Sequence, residues 1–411
     1  MTAPDQSTYF RKGFGLKTEV QETLSADYTG QLVDLLRARD FTLAAGGVTV
    51  RLAKEFGFCY GVERAVEYAY QTRAKFPERR IFLAGEIIHN PHVNAKLREM
   101  GIVFLLPGET GFDYSAVHPE DVVILPAFGV TIGDFETLRG LGCVMVDTTC
   151  GSVLNVWKRV ESYARDGFTS LIHGKYYHEE TRATASQVAK YQGGTYLVVR
   201  SMEQARDVCD YIEGKGLSRD GFLAAYRAQA SSHFDPDAHL ARIGVANQTT
   251  MLARESLAIA EAAGQAMARA KGEAYRADNF RTFDTICSAT QDRQDAVNEL
   301  LREPLDVMLV IGGYNSSNTI SLAALCAERV PTFHVSDASC IDSGAGTILH
   351  LPPGGADEVE TAGWLGASGA SGATGAVHVG ITAGASTPNN KIGEAVARVF
   401  ASRGVDFASI V

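Results

Sequence analysis

Three cysteines in similar settings are the residues of this chain best suited to chemistry. Cys59 lies in FGFCYGVERAV, Cys150 closes VDTTC and Cys287 closes TFDTIC. As thiolates, cysteines hold zinc or iron–sulfur clusters. Structural zinc sites draw their cysteines from short CxxC spacings, and this sequence contains none. Three widely separated thiols, each from a different domain, suit a [4Fe–4S] cluster that leaves one iron without a protein ligand. Such an iron can act as a Lewis acid on a substrate oxygen. The alternative is three unrelated core thiols.

Polar residues elsewhere suggest a phosphorylated ligand and a proton donor. GGYNSSNT, Gly312 to Thr319, follows an apolar run ending at Ile311 and precedes the helical stripe Leu322, Leu325, Cys326. Glycines followed by hydroxyl and amide side chains at a helix N-terminus make an anion site, because backbone N–H groups and the helix dipole favour phosphate. The plain alternative is an N-cap with a tight turn. AGASTP repeats the arrangement, with Ser386 or Thr387 expected to cap a helix opened by Pro388. In HGKYYHEET, His178 and Glu180 are two apart, so in extended backbone both face one side. A carboxylic acid beside an imidazole can deliver protons. His89 in GEIIHNP, and Gln248, Thr249 and Thr250 in ANQTTM, also follow strand-like runs; a hydroxyl there can position a substrate or relay a proton.

An alternation of strands and helices must position these groups. Val48–Leu52 is rich in β-branched residues and reads as a strand, and Val62, Ala65, Val66, Ala69 and Tyr70 then mark one helical face. Residues 144–149 precede Cys150, with Val153, Val156, Trp157 and Val160 after it. Residues 282–286 precede Cys287, with Ala296, Val297, Leu300 and Leu301 after it. A strand–Cys–helix unit thus recurs three times. Further strands are expected at 81–84, 122–125, 170–172, 196–199, 243–246, 307–311 and 377–382, a pattern that predicts α/β units with parallel sheets. In such sheets ligands bind beyond the carboxyl ends of the strands. We divide the chain into an extension, 1–47, with a helix around Thr29 to Arg39; a first α/β domain, 48–149; a second, 150–286, with a charged helical insertion at 209–239; and a third, 287–411, with a Gly/Ser/Ala-rich loop at 353–375.

A chain of 411 residues accommodates two to four domains. The net charge of −10 offers no basic footprint for nucleic acid, whereas a small anion needs only one local pocket. The start, MTAPDQSTYFRKGFG, has no apolar core of a signal peptide, and no stretch approaches a membrane span. We expect a cytoplasmic protein. Seven cysteines without a secretory signal argue against a disulfide framework, and Cys143, Cys209, Cys326 and Cys340 read as core residues.

In order along the chain, GFCYGVERAV, EIIHNP, VDTTC, HGKYYHEET, ANQTTM, TICSATQDRQDAV, GGYNSSNT and TAGASTP resemble the motifs of the 4-hydroxy-3-methylbut-2-enyl diphosphate reductases, which act last in the non-mevalonate isoprenoid pathway. The resemblance runs from about Arg11 to Phe400. Its RKGFG start and 209–239 insertion are similar to the cyanobacterial and plant branch, and without a transit peptide a bacterial cytosol is expected. The family implies three α/β domains in a cloverleaf around a central [4Fe–4S] cluster with one open iron site. By position, Cys59, Cys150 and Cys287 match its cluster ligands. Glu180 matches its proton-delivering acid and Thr249 the threonine at the substrate's hydroxyl end. His89, His178, Ser316, Ser317, Asn318 and Ser386 match its diphosphate pocket. The implied reaction removes the substrate hydroxyl with two electrons and protons, giving isopentenyl and dimethylallyl diphosphate, with ferredoxin or flavodoxin as donor.

Two positions depart from that pattern. Ala127-Phe128-Gly129 stands where many members have an AHG triplet, a trait shared with the cyanobacterial and plant branch. Gly151-Ser152 follows the second cysteine where the family usually has proline, which predicts a looser junction. Two other readings share the open-iron logic: a [4Fe–4S] dehydratase or quinolinate-synthase-like lyase working without net electron input, and a divergent paralogue whose cluster only senses oxygen or iron.

Overall fold

Most strands are the continuous apolar runs that parallel sheets require when both faces are covered: VVIL at Val122–Leu125 and VMLVI at Val307–Ile311 are buried at every residue. In the computed structural model the described residues are 8–108, 111–283, 285–366 and 376–406. The chain divides into two compact units. The first comprises Met1–Lys12, Glu78–Gly85 and Ile102–Cys287; the second comprises Gly13–Pro77, Glu86–Gly101 and Ser288–Val411.

The first unit holds two all-parallel sheets. One runs, edge to edge, Tyr9–Phe10, Val144–Asp147, Val122–Leu125, Ile81–Ala84, Ile102–Leu105. The other runs Phe280–Thr282, Ile243–Asn247, Thr169–His173, Tyr196–Val199. The second unit is built on Thr332–Val335, Val307–Ile311, Val377–Ala383, Val48–Leu52 and Thr42–Ala45, parallel except for the last pair. A small antiparallel sheet, Ile341–Asp342, Thr347–His350, Val359–Ala362, accompanies it.

The strands before two of the cysteines are shorter than expected, and local hydrogen bonds explain why. The run toward Cys150 leaves the sheet after Asp147, whose Oδ1 takes the Thr149 N–H at 2.9 Å. The run toward Cys287 ends at Thr282, and the Thr285 hydroxyl then accepts the Asn247 N–H at 2.8 Å in place of a ladder bond.

Within the expected extension the helix around Thr29 to Arg39 is found as Gln31–Ala38. Three further elements there were not expected: the helix Lys17–Tyr28 and the strands Tyr9–Phe10 and Thr42–Ala45. Gly46 and Gly47, at φ +56° and +74°, make the tight turn joining Thr42–Ala45 to Val48–Leu52. The 209–239 insertion is helical as expected, at Arg219–Tyr226 and Pro236–His239, with Phe222 stacked on Tyr226 at 4.7 Å. The loop expected at 353–375 needs correction, because it contains the strand Val359–Ala362 and the fully buried Trp364. Its residues 367–375, like residues 1–7 of the extension, lie outside the described residues.

Candidate functional site

Each of the three cysteines sits directly before a helix. Cys59 is the N-cap residue of Tyr60–Lys75, Cys150 that of Gly151–Arg165, and Cys287 immediately precedes Ser288–Leu300. Helix N-termini favour negatively charged ligands. All three are half-buried, whereas Cys143, Cys209 and Cys326 are buried. Burial pushes those three thiols up to about 11, about 11 and about 12, which makes them inert core residues. Cys340 is half-buried, with its Sγ 3.3 Å from the Ser336 hydroxyl.

The backbone N–H of each of the three donates to a loop carbonyl: Cys59 to Ala385 at 3.1 Å, Cys150 to Ala127 at 2.8 Å and Cys287 to Thr249 at 3.4 Å. Those carbonyls belong to AGASTP, the AFG triplet and ANQTTM. Cys150 and Cys287 in the first unit, and Cys59 in the second, are each an accessible thiol at a helix N-terminus with its backbone anchored, the kind of donor an iron–sulfur cluster takes.

In the first unit, Glu180 lies on the opening turn of Glu179–Ser186 and is 3% exposed. Its Oε1 accepts the Thr249 N–H at 2.6 Å. His178 is not in extended backbone running on to Glu180, as the two-residue spacing suggested. It is the N-cap residue, and its Nδ1 accepts the Glu180 N–H at 3.1 Å. That bond leaves the proton of the neutral imidazole on Nε2. The Phe128 ring meets the His178 ring edge-on, with centroids 6.0 Å apart. Cys287, Thr249, Glu180, His178, Phe128, Ala127 and Cys150 thus form one run of contacts and adjacent residues. Gly129 closes the AFG turn at φ +76°, and a Cβ there would run into the Trp157 ring. Gln248 fixes the neighbouring loop: its Oε1 accepts from Lys175 N–H at 3.0 Å and Thr181 hydroxyl at 3.1 Å, and its Nε2 donates to Thr250 at 3.0 Å.

In the second unit, Ser316 caps Ser317–Ala327, its hydroxyl accepting the Thr319 N–H at 3.4 Å. Ser317 and Asn318 are buried beside it. Asn318 Oδ1 accepts the Ala385 N–H at 2.9 Å, which ties GGYNSSNT to AGASTP. Among the described residues, Asn318 Nδ2 has no protein partner, so a buried amide donor is left to a ligand. The expected cap at Ser386 or Thr387 is not formed. The helix is Asn389–Ala401, its N-cap residue is Pro388, and the two hydroxyls turn elsewhere. Thr387 donates to the Ile311 carbonyl at 3.1 Å and Ser386 to the His89 carbonyl at 3.4 Å. His89 Nδ1 lies 2.9 Å from Glu86 Oε2.

Sequence reasoning missed His334. Its Nε2 donates to the Gly312 carbonyl at 2.9 Å, and the Gly312 N–H donates to Val335 O at 2.9 Å, so one strand end grips the first glycine of GGYNSSNT on both sides. Burial pushes His334 down to about 4, which keeps it neutral and its Nε2–H a donor.

With this geometry established, comparison with known proteins is decisive. A family model described as LytB protein matches residues 50–400. The chain belongs to the LytB family. The 4-hydroxy-3-methylbut-2-enyl diphosphate reductase of Gloeobacter violaceus is 50% identical over 402 residues, covering 97% of this chain and 93% of that protein. The reductase of the same name from Thermosynechococcus vestitus is 45% identical over 398 residues, covering 97% and 95%. A solved structure of (E)-4-hydroxy-3-methyl-but-2-enyl diphosphate reductase, the terminal enzyme of the non-mevalonate pathway, is 26% identical with a TM-score of 0.51 and covers 85% of this chain and 98% of that one. The E-1-hydroxy-2-methyl-but-2-enyl-4-diphosphate reductase of Plasmodium falciparum, at 20% identity and a TM-score of 0.61 over 85% and 87%, shares the fold. In this LytB chain Gly151 is the first residue of its helix and is exposed, with open space where a Cβ would stand.

Proposed function

We propose that the chain reductively dehydroxylates 4-hydroxy-3-methylbut-2-enyl diphosphate to isopentenyl and dimethylallyl diphosphate. Cys59, Cys150 and Cys287 would ligate a [4Fe–4S] cluster. When bound, that group supplies an open iron for the substrate oxygen and a route for electrons. The three-domain cloverleaf, a ferredoxin or flavodoxin donor and a cytoplasmic setting belong to the same reading, which rests on family membership.

The observation that carries it is the Glu180–Thr249 pair. A buried carboxyl is held by the N–H of the residue whose carbonyl anchors Cys287. A protonated Glu180 delivers its proton where the hydroxyl leaves, and the Thr249 side chain positions that hydroxyl. Ser316, Ser317, Asn318 and Ser386, with His89 and His178, bind the diphosphate. The Asn318 Nδ2 donor and the Ser317–Ala327 helix N-terminus are the groups a phosphate oxygen requires. Among the described residues, no helix is long and apolar enough to cross a membrane.

The deciding experiment is anaerobic consumption of the diphosphate by the iron-loaded protein with a reduced viologen dye, normalised to iron content. Turnover with dye oxidation is expected. A fully loaded protein without turnover would reject the reductase in favour of a lyase or a sensor.

A further inference from the structure

A cationic, aromatic face lies on the second sheet of the first unit. The helix Gly151–Arg165, which starts from Cys150, carries Arg159, whose guanidinium lies 3.7 Å from the ring centroid of Phe283. Phe283 is 42% exposed and stands four residues before Cys287. Beside it, Arg281 and Arg242 stack on the Phe168 ring at 4.1 and 4.2 Å. Arg281 stands two residues before Phe283 in the sequence. Asp166 takes Arg281 at 2.6 Å and Arg165 at 3.0 Å, and its carbonyl takes Arg242 at 3.0 Å. Two guanidinium groups, of Arg281 and Arg165, therefore pair with the Asp166 carboxylate, and a third, of Arg242, with its carbonyl. Among the described residues, Arg159 and Arg242 pair with no carboxylate. On a chain of net charge −10 this is a local excess of the opposite sign.

The proposed reaction, on which this inference rests, needs electrons that its substrate does not carry. The C–O bond breaks and the oxygen leaves as water with one proton. A second proton adds to carbon, and two electrons enter one at a time from a carrier that is oxidised. We propose that Arg159, Arg242, Arg281 and Phe283 form the docking face for a small acidic one-electron carrier protein. Charge complementarity selects the partner: an acidic protein is steered to a positive patch and its wrong orientations are penalised. Stacking holds the guanidinium planes in place and turns their N–H groups toward carboxylates. An exposed aromatic with an arginine over its ring has the composition of an interface hot spot. Position argues the same way, because electron transfer weakens steeply with distance. Phe283 leads into Cys287, and Arg159 stands about 13 Å along the helix from Cys150.

The test uses the full chain and an acidic [2Fe–2S] ferredoxin as probe, with binding measured by calorimetry. Wild-type affinity is expected to fall steeply as salt rises from about 50 to about 300 mM, through the range where charge interactions are screened. Arg159→Glu and Arg242→Glu should each weaken low-salt binding about tenfold. Phe283→Ser should weaken it at both salt concentrations, because its contact is apolar. Viologen-driven turnover and thermal melting should match the wild type in all three variants. Equal binding by wild type and both charge reversals, or salt-independent wild-type binding, would overturn the proposal. So would a face that binds RNA or a second copy of the chain, and not the carrier, in an Arg159-dependent way. Loss of dye-driven turnover in the wild type would instead reject the reductase reading, a result separate from carrier binding.

Discussion

The Thr249 N–H donates to Glu180 Oε1 across 2.6 Å, so the carboxyl proposed to deliver protons also holds the loop that anchors Cys287. Glutamine at position 180 keeps a carbonyl oxygen for that N–H and loses the acidic proton. Glu180→Gln should therefore retain the absorption spectrum of the iron-loaded protein while turnover falls about 10²- to 10⁴-fold, the usual contribution of a positioned general acid. Full activity in this variant removes Glu180 from the chemistry.

The seven cysteines separate by environment. Cys150→Ser should leave the protein without a full complement of iron, because it removes a proposed ligand sulfur at a helix N-terminus. Cys326→Ala, which removes a buried thiol raised to about 12, should leave iron content unchanged. Iron analysis of both proteins after anaerobic reconstitution checks this, and unchanged iron in Cys150→Ser defeats the ligand assignment.

Gly129 is required by conformation and by space, at φ +76° against the Trp157 ring. Gly129→Ala should cost about 1–3 kcal/mol of stability in a urea melt. Because Ala127 of the same turn anchors Cys150, the proposed ligand, the iron-loaded protein should also lose iron faster. A variant with wild-type stability would show that the turn shifts at little cost.

Burial holds His334 neutral, its folded-state value near 4 against an ordinary 6.5. Between those values the unfolded chain binds a proton that the native chain does not. His334 therefore contributes stability that is whole above pH 6.5 and lost as the pH falls toward 4. The expected loss is about 3 kcal/mol over that window. His334→Asn should flatten this part of the stability profile, measured by denaturant melts at a series of pH values; an unchanged slope would assign it to other groups.

What the sequence made legible, and what it did not, follows from physics. Buried strands such as VMLVI at Val307–Ile311 announce themselves because every position must be apolar. The cysteines stood out by type and by placement before helical stripes. The anchoring carbonyls of Ala127, Thr249 and Ala385 were invisible, since every residue carries the same carbonyl. His178 was misread because an imidazole nitrogen caps a helix as an asparagine oxygen does, and sequence spacing assumes a backbone it cannot see. The helix Lys17–Tyr28 was missed because only Val20 and Tyr28 on it are buried, too few to mark a face. Val359–Ala362 escaped because an edge strand with no buried residue has no alternation to display.

Gly151 offers the last prediction. Proline there fits on three counts: it is the first helical position, where a missing N–H costs no helix bond; Cys150 before it is extended, at φ −62° and ψ 143°, as a pre-proline residue must be; and nothing stands within 4 Å of a Cβ. Gly151→Pro should then stabilise the protein by about 0.4–1 kcal/mol through a less flexible unfolded chain. If the glycine is only a looser version of the junction, iron content and viologen-driven turnover should equal the wild type while the melt shifts upward. If turnover falls with iron and stability intact, freedom at this junction is needed for catalysis, and the glycine is functional.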